Sequence, residues 1–151
     1  MEIGPGPGVT TDILRTKFDA LTVLERDPIL AERLRQRFHG SNVKVIEGDA
    51  TEMPFGDGTF RTVFSFTMLH HVPSVALQNK LIAEAHRVLA PGGLFVGTDS
   101  RLSLLMKVFH WFDTMVIVDP LVFGERLRSA GFTNPQIVLG EGAFRFRTAR
   151  T

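Results

Sequence analysis

The segment Met1-Glu2-Ile3-Gly4-Pro5-Gly6-Pro7-Gly8 at the start of this 151-residue chain indicates its fold class. The stub of a strand, Met1-Glu2-Ile3, runs directly into a glycine loop, and Thr10 or Thr11 can then cap a helix that runs to about Asp19. A loop between a strand and a helix is where α/β sheets bind nucleotides. The segment therefore predicts an α/β domain with a ligand site at the end of its first strand.

Short β-branched runs alternate with longer amphipathic runs along the rest of the chain. This alternation is typical of a parallel sheet covered by helices on both faces. We expect one doubly wound domain over residues 1–151 that ends in an antiparallel hairpin. The predicted strands are Leu21 to Leu24, Val43 to Ile46, Phe60 to Phe66 and Leu94 to Thr98; the predicted helices are Asp27 to Gly40, Ser74 to Leu89, Leu102 to Val118 and Asp119 to Ala130; the hairpin pairs Gln136 to Leu139 with Ala143 to Thr148.

Composition excludes several classes of protein. The absence of cysteine excludes a disulfide framework, a cysteine nucleophile and thiolate metal sites. The net charge of +1 predicts no long-range attraction of nucleic acid. The most apolar segment, Leu102 to Val118, carries Lys107, His110 and Asp113, too many polar groups for a membrane span. With no signal-peptide pattern, the sequence predicts a cytoplasmic protein without a membrane span.

The glycine loop does not fit a dinucleotide. The dinucleotide fingerprint requires Gly or Ala at its sixth position, where this chain has Val9. Pro5 and Pro7 have no backbone N–H, so the loop lacks two donors that would hold a diphosphate. A ligand without phosphates suits it better, although alternating Gly and Pro is also a common turn composition.

Two acids follow the next two strands. Glu25 ends the second strand, where an acid accepts hydrogen bonds from both hydroxyls of a ribose. Asp49 ends the third strand, where a carboxylate can accept a hydrogen bond from the exocyclic amine of an adenine. Each acid alone is more often solvated. The order of loop, acid and acid at the ends of successive strands favours a nucleoside site.

Six motifs share this order along nearly the whole chain: Glu2 to Gly8, Glu25 to Asp27, Gly48 to Ala50, Phe66 to His71, Arg87 to Gly93 and Leu127 to Phe132. Together they resemble the motifs of class I S-adenosylmethionine-dependent methyltransferases. They are most similar to the small-molecule branch that includes the ubiquinone and menaquinone biosynthesis enzymes. The resemblance implies a Rossmann-like, mostly parallel sheet and S-adenosylmethionine as the cofactor.

The resemblance also implies site residues. The glycine loop passes under the cofactor, and the acid of the first strand orients its methionine end. The acid after the second strand holds the ribose, and an arginine beside it lies near the adenine, although such an arginine is more often a surface residue. Residues after the third strand hold the adenine, and carbonyls after the fourth meet the methionine ammonium. The implied cofactor-binding residues are Glu2, Gly4, Gly6, Gly8, Glu25, Arg26, Asp49, Ala50, Phe66 and Thr67.

The expected reaction is in-line methyl transfer to a small-molecule acceptor, and a lipophilic molecule is one candidate for it. His70 and His71 are candidate general bases, with helix packing or capping as the alternative. Ser65-Phe66-Thr67-Met68 is not the Asn/Asp-Pro-Pro-Tyr box of enzymes that methylate amino groups of adenine and glutamine. Only Asp99 is placed to bind magnesium, so we expect no metal site. The alternatives are a non-catalytic S-adenosylmethionine-binding module or inactive fragment and, less favoured, a nicotinamide-dependent oxidoreductase.

Two expectations concern surfaces. In relatives one or two helices precede the first strand, whereas here only Met1 precedes Glu2. The resemblance therefore implies a first strand and preceding helices cut short, that is, an N-terminally truncated domain, or a homodimer whose second copy covers the gap. Arg145 and Arg147 alternate with phenylalanines on the last strand. We interpret their face as solvated rather than as a nucleic-acid groove.

Overall fold

The computed structural model describes residues 1–100 and 116–151. In these residues seven strands form one sheet in the order β3-β2-β1-β4-β5-β7-β6. The strands β1 to β5 pair in parallel, and β7 lies antiparallel between β5 and β6. This arrangement confirms the predicted fold class. The strands are β1 Glu2–Ile3, β2 Leu21–Glu25, β3 Val43–Glu47, β4 Phe60–Phe66, β5 Leu89–Ser100, β6 Phe132–Leu139 and β7 Ala143–Arg150.

The helices begin where side chains satisfy their first amide groups. Asp27 accepts hydrogen bonds from the amides of Ile29 and Leu30 at 2.8 and 3.0 Å. Asp119 and Ser74 cap two later helices in the same way, as their positions in the sequence predicted. The helices are α1 Val9–Leu14, α2 Pro28–Arg37, α3 Val75–Val88 and α4 Pro120–Ser129, and a 3₁₀ turn spans Leu69–His71.

Side chains alternate across the sheet between two hydrophobic clusters. On β4, Val63 is buried in the larger cluster, which includes Phe95 and residues of α3 and α4. The neighbouring Phe64 packs on the opposite face against the smaller cluster, which includes Leu14 of α1. The period of two along β4 therefore fixes both faces, and the carboxyl ends of the parallel strands share one edge.

Several sequence-based boundaries were wrong, including the start of β6, which is Phe132 rather than Gln136. The cap of α1 is Gly8 rather than a threonine, because the hydroxyls of Thr10 and Thr11 instead donate to the carboxylate of Glu2. The helix ends at Leu14, earlier than predicted. Strand β5 begins at Leu89 rather than Leu94, since Leu89 already pairs with Phe60 ahead of an irregular register.

Residues 101–115 are outside the described part of the chain, and most of the helix predicted from Leu102 to Val118 falls there, including His110. The last residues of that prediction, 116–118, are not helical. The amide of Val116 donates to the carbonyl of His70 at 3.0 Å. Across residues 1–100 and 116–151, no helix is long and apolar enough to cross a membrane. The expected truncation and homodimer stay predictions.

Candidate active site

One cavity of about 830 Å³ lies at the carboxyl ends of the parallel strands. It is bounded by the loop after β1, the ends of β2 and β3, the turn after β4 and the start of α3. The sequence-predicted site residues that line it are Gly4, Gly6, Glu25, Arg26, Asp49, Ala50 and His71. The other predicted residues, Glu2, Gly8, Phe66, Thr67 and His70, are not among its lining residues.

The glycine loop has a backbone that side chains rarely adopt. The φ angles of Gly4, Gly6 and Gly8 are 60°, 54° and 84°. A Cβ added at Gly6 would meet nothing within 4 Å, so this glycine leaves open space at the cavity. A Cβ at Gly8 would lie 2.9 Å from Cδ2 of Leu34. Gly6 therefore opens the site, whereas Gly8 lets α1 pack against α2.

Glu25 is fixed by backbone amides on both sides. Its side chain is buried, and its Oε2 accepts from the amide of Gly6 at 3.1 Å. Its Oε1 accepts from the amide of Asp27 at 3.0 Å. Each carboxylate oxygen keeps a second lone pair. The two oxygens can therefore accept a pair of neighbouring hydroxyls without moving.

Asp49 is held by the residue two positions further on. Its Oδ1 accepts from the amide and the hydroxyl of Thr51 at 2.7 and 2.8 Å. Its Oδ2 lies 3.7 Å from Nε of Arg26, whose side chain is largely exposed. Partial burial raises the pKa of Asp49, but the Thr51 hydrogen bonds with the charges of Arg26 and Lys80 outweigh it and hold the pKa below its usual range. Asp49 therefore stays an ionised acceptor.

Glu2 serves the first helix rather than the cavity wall. Its buried carboxylate accepts hydrogen bonds from the hydroxyls of Thr10 and, at 2.6 Å, Thr11. Burial raises the pKa of Glu2, and these two hydrogen bonds oppose that rise. The carboxylate thus anchors α1 under the glycine loop, and its implied contact with a methionine end stays a prediction.

The paired histidines occupy different surroundings. His71 lines the cavity. His70 is buried, and its Nδ1 lies 2.5 Å from Oδ1 of Asp99. The two imidazole rings are 4.2 Å apart between centroids. Of the two candidate bases, the structure brings only His71 to the cavity.

Sequence reasoning missed the apolar side of the cavity. Met68 lines it and sits against the loop, since a Cβ on Gly4 would lie 3.0 Å from Cε of Met68. On α3 the i, i+4 pair Leu77 and Leu81 faces the cavity, and this spacing was the available signal. The missed apolar lining residues are Ile3, Leu24, Leu30, Met68, Val72, Pro73, Leu77 and Leu81.

Metal-binding residues do not assemble in the described part of the chain. Within residues 1–100 and 116–151, no group of three or more histidine, aspartate and glutamate residues could hold a metal ion. Asp99, the residue considered for magnesium, is buried and hydrogen-bonded to His70.

Comparisons with known proteins agree with the fold and the motifs. A family model described as a methyltransferase domain matches residues 1–97. The chain therefore belongs to the methyltransferase domain family, and the family resemblance of its motifs is confirmed. Among solved structures, the trans-methyltransferase CalH in complex with SAH superposes with a TM-score of 0.81 at 17% identity, covering 99% of this chain and 50% of that one. At this identity the superposition shows a shared fold.

The names of the curated relatives include two classes of methyl acceptor, a hydroquinone and ribosomal RNA. The chain is 28% identical over 140 residues to the uncharacterized methyltransferase YodH of Bacillus subtilis, covering 87% of this chain and 58% of YodH. It is 31% identical over 96 residues to a chloroplastic 2-methyl-6-phytyl-1,4-hydroquinone methyltransferase of Oryza sativa, covering 62% and 28%. It is 29% identical over 143 residues to ribosomal RNA small subunit methyltransferase A of Cupriavidus taiwanensis, covering 82% and 50%. The chain thus spans at most about three fifths of these relatives.

Proposed function

We propose that the chain binds S-adenosylmethionine in the cavity and transfers its methyl group to a small-molecule acceptor. One observation carries the proposal. The glycine loop, Glu25 and Asp49 follow three adjacent strands and all face one cavity. Membership of the methyltransferase domain family supports the same reaction.

The lining residues fit an adenosine group. Glu25 offers two fixed oxygens to the ribose hydroxyls, and Asp49 offers an ionised acceptor to the adenine amine. Leu77 and Leu81 supply an apolar surface for a purine ring. Gly6 leaves space for close approach of the ligand to the loop. The cavity volume of about 830 Å³ is within the usual range of ligand pockets.

Methyl transfer asks little chemistry of the protein. The sulfonium of the cofactor supplies an already activated methyl group. The chain has to align the acceptor and keep water away from it. We propose His71 as the residue that accepts a proton from a hydroxyl or carbon-acid acceptor, because its side chain lines the cavity. His70 is committed to Asp99 and is proposed to hold the turn that carries His71.

Two acceptor classes are in competition. A small molecule is favoured because the residues at the end of β4 and just beyond it, Ser65 to Met68, lack the Asn/Asp-Pro-Pro-Tyr box. The similarity to a hydroquinone methyltransferase supports a lipophilic acceptor. The similarity to ribosomal RNA methyltransferases over 143 residues makes RNA the second candidate.

Titration calorimetry with S-adenosylmethionine, S-adenosylhomocysteine and NAD tests cofactor binding. We expect micromolar binding of the first two compounds and no heat with NAD. Heat with NAD alone would indicate the oxidoreductase alternative and contradict the proposal.

Tritiated S-adenosylmethionine incubated with a metabolite extract and, separately, with ribosomal RNA tests the reaction. Label in the small-molecule fraction supports the proposal, and label in RNA selects the second candidate. Binding without transfer in either fraction indicates a non-catalytic module. His71→Ala should lower the transfer rate at least tenfold while the calorimetric affinity changes less than threefold. Glu141→Ala, at an exposed position outside the cavity lining, is the matched control.

A further inference from the structure

A strained residue marks the end of β4. Thr67 has a φ of 49°, in the left-handed region that β-branched residues rarely adopt. Its side chain is exposed, while its amide donates to the carbonyl of Thr98 at 2.8 Å. Such backbone persists where the surrounding structure fixes it, and it concentrates at functional sites. The turn after Thr67 therefore needs a restraint that can be identified.

Asp99 provides that restraint from the buried side. It is fully buried at the end of β5. Its Oδ2 accepts from the amide of Leu69 at 2.9 Å, and its Oδ1 lies 2.5 Å from Nδ1 of His70 and accepts from the amide of Ser100 at 2.7 Å. One carboxylate is thus hydrogen-bonded to both the backbone and a side chain of the turn.

A second buried side chain, that of Gln78, is hydrogen-bonded to the same turn. Nε2 of Gln78 donates to the carbonyls of Leu69 and Val116 at 3.1 and 2.6 Å. The amide of Val116 donates to the carbonyl of His70. The turn is therefore fixed by α3 and by the chain entering α4, and Asp99 supplies the only carboxylate among these restraints in the described residues.

The opposite side of the turn faces the cavity. Met68 and His71 line it, and Met68 lies against Gly4. The strand order β3-β2-β1-β4 places Asp49, Glu25, Gly4 and this turn in a row along one edge of the sheet. If adenosine lies between Asp49 and Glu25, as the proposed function requires, the rest of the cofactor extends to Gly4 and the turn.

We propose that Asp99 is a positioning residue that acts through Leu69 and His70 to hold the strained turn at residues 67–71 against the amino-acid end of the cofactor. The inference rests on the proposed function. Asp99 itself does not line the cavity. Its effect is therefore specific to the part of the ligand that the turn contacts.

Two ligands that share adenosine separate this role from a general structural one. S-adenosylhomocysteine carries the amino-acid end, and 5′-methylthioadenosine lacks it. We expect Asp99→Asn to weaken S-adenosylhomocysteine at least tenfold by calorimetry and 5′-methylthioadenosine less than twofold. Asp19→Asn, at an exposed position outside the cavity lining, should change neither affinity. Equal losses for both ligands, or no loss for either, would overturn the proposal.

Thr67→Gly provides the second test, because glycine adopts positive φ without strain. In the Asp99→Asn background it should restore S-adenosylhomocysteine affinity at least threefold, since the turn then no longer has to be forced. If Asp99→Asn fails to fold by circular dichroism, Thr67→Gly alone should strengthen S-adenosylhomocysteine about threefold relative to 5′-methylthioadenosine, because glycine removes the strain against which the turn is held. Failure of that selectivity would refute the role of the turn. Failure of the unmodified chain to bind either adenosine compound would instead refute the proposed function.

Discussion

The amide of Gly6 donates to Oε2 of Glu25 at 3.1 Å, so the loop after β1 is tied to the end of β2 in the cavity wall. The positive φ of Gly6 allows this approach, and the amide of Asp27 holds the other carboxylate oxygen. A carboxylate held by backbone groups loses little side-chain freedom when hydroxyls bind to it. The acceptor for a ribose is therefore formed before the ligand arrives.

Removing this carboxylate should weaken ligand binding, and it also leaves the amides of Gly6 and Asp27 without their acceptor. Glu25→Ala is expected to cost about 1–3 kcal/mol in S-adenosylhomocysteine affinity, because hydroxyls lose a charged acceptor. Glu141→Ala, in the exposed turn between β6 and β7, should leave the affinity unchanged. Titration calorimetry measures both. Equal losses in the two variants would mean that the pocket has been misplaced.

The glycines of the loop should divide between binding and folding. Gly6→Ala adds a methyl group to the open cavity and forces positive φ on alanine. Ligand affinity should therefore fall, and the free energy of unfolding should decrease by about 1–2 kcal/mol. Gly8→Ala adds the same strain and a 2.9 Å contact with Leu34, so its free energy of unfolding should fall further. Urea denaturation and calorimetry on both variants check this division. The same stability loss in both would show that the contact relaxes freely.

The parts of the fold predicted from sequence are those that local chemistry decides. Asp27-Pro28 and Asp119-Pro120 cap their helices because aspartate accepts from the first amides and proline needs no donor there. The start of α1 could not be predicted in this way. Thr10 and Thr11 are good caps locally, but a buried carboxylate on β1 takes their hydroxyls, and Gly8 then caps with its backbone alone.

The site divides along the same line. Glu25 and Asp49 were predictable because Glu25 ends β2 and Asp49 follows the end of β3, and parallel strands end at one edge of the sheet. The different surroundings of His70 and His71 could not be predicted. The two histidines are adjacent in a 3₁₀ turn, and only the position of Asp99 in the fold shows which of them is buried against it. That placement depends on the pairing of β4 with β5, a long-range contact that no local pattern encodes.

Acid should remove a specific stabilising contact. Hydrogen bonds from Arg87, with a smaller opposing effect of burial, hold the pKa of Glu84 below its usual value. A lowered folded-state pKa means that the carboxylate stabilises the fold above about pH 4.3 and that this contribution is lost as pH falls through the folded-state value. Glu84→Gln should therefore cost about 1 kcal/mol at pH 7 and progressively less below about pH 4.

Urea denaturation of Glu84→Gln at pH 7 and pH 3 measures that difference. Glu52→Gln is the control. Glu52 is exposed and precedes Met53, whose amide donates a hydrogen bond to Glu84. Its free energy of unfolding should stay within about 0.5 kcal/mol of the unmodified chain at both pH values. A Glu84→Gln penalty that grows toward pH 3 would contradict the assigned pKa direction.

The apolar side of the cavity offers a test that separates contact with the ligand from contact with the core. Leu77 lines the cavity and is 37% exposed, whereas Leu81, one turn later, lines it and is fully buried. Leu77→Ala should weaken 5′-methylthioadenosine by about 1 kcal/mol, because it removes apolar surface from the proposed purine position, and should change unfolding by less than that. Leu81→Ala should cost about 2–5 kcal/mol of unfolding free energy through the cavity that it leaves.

Leu121→Ala, at an 80% exposed position of α4, is the control and should alter neither quantity. Calorimetry and urea denaturation on the three variants give both quantities, and an unchanged affinity in Leu77→Ala would place the purine elsewhere in the cavity.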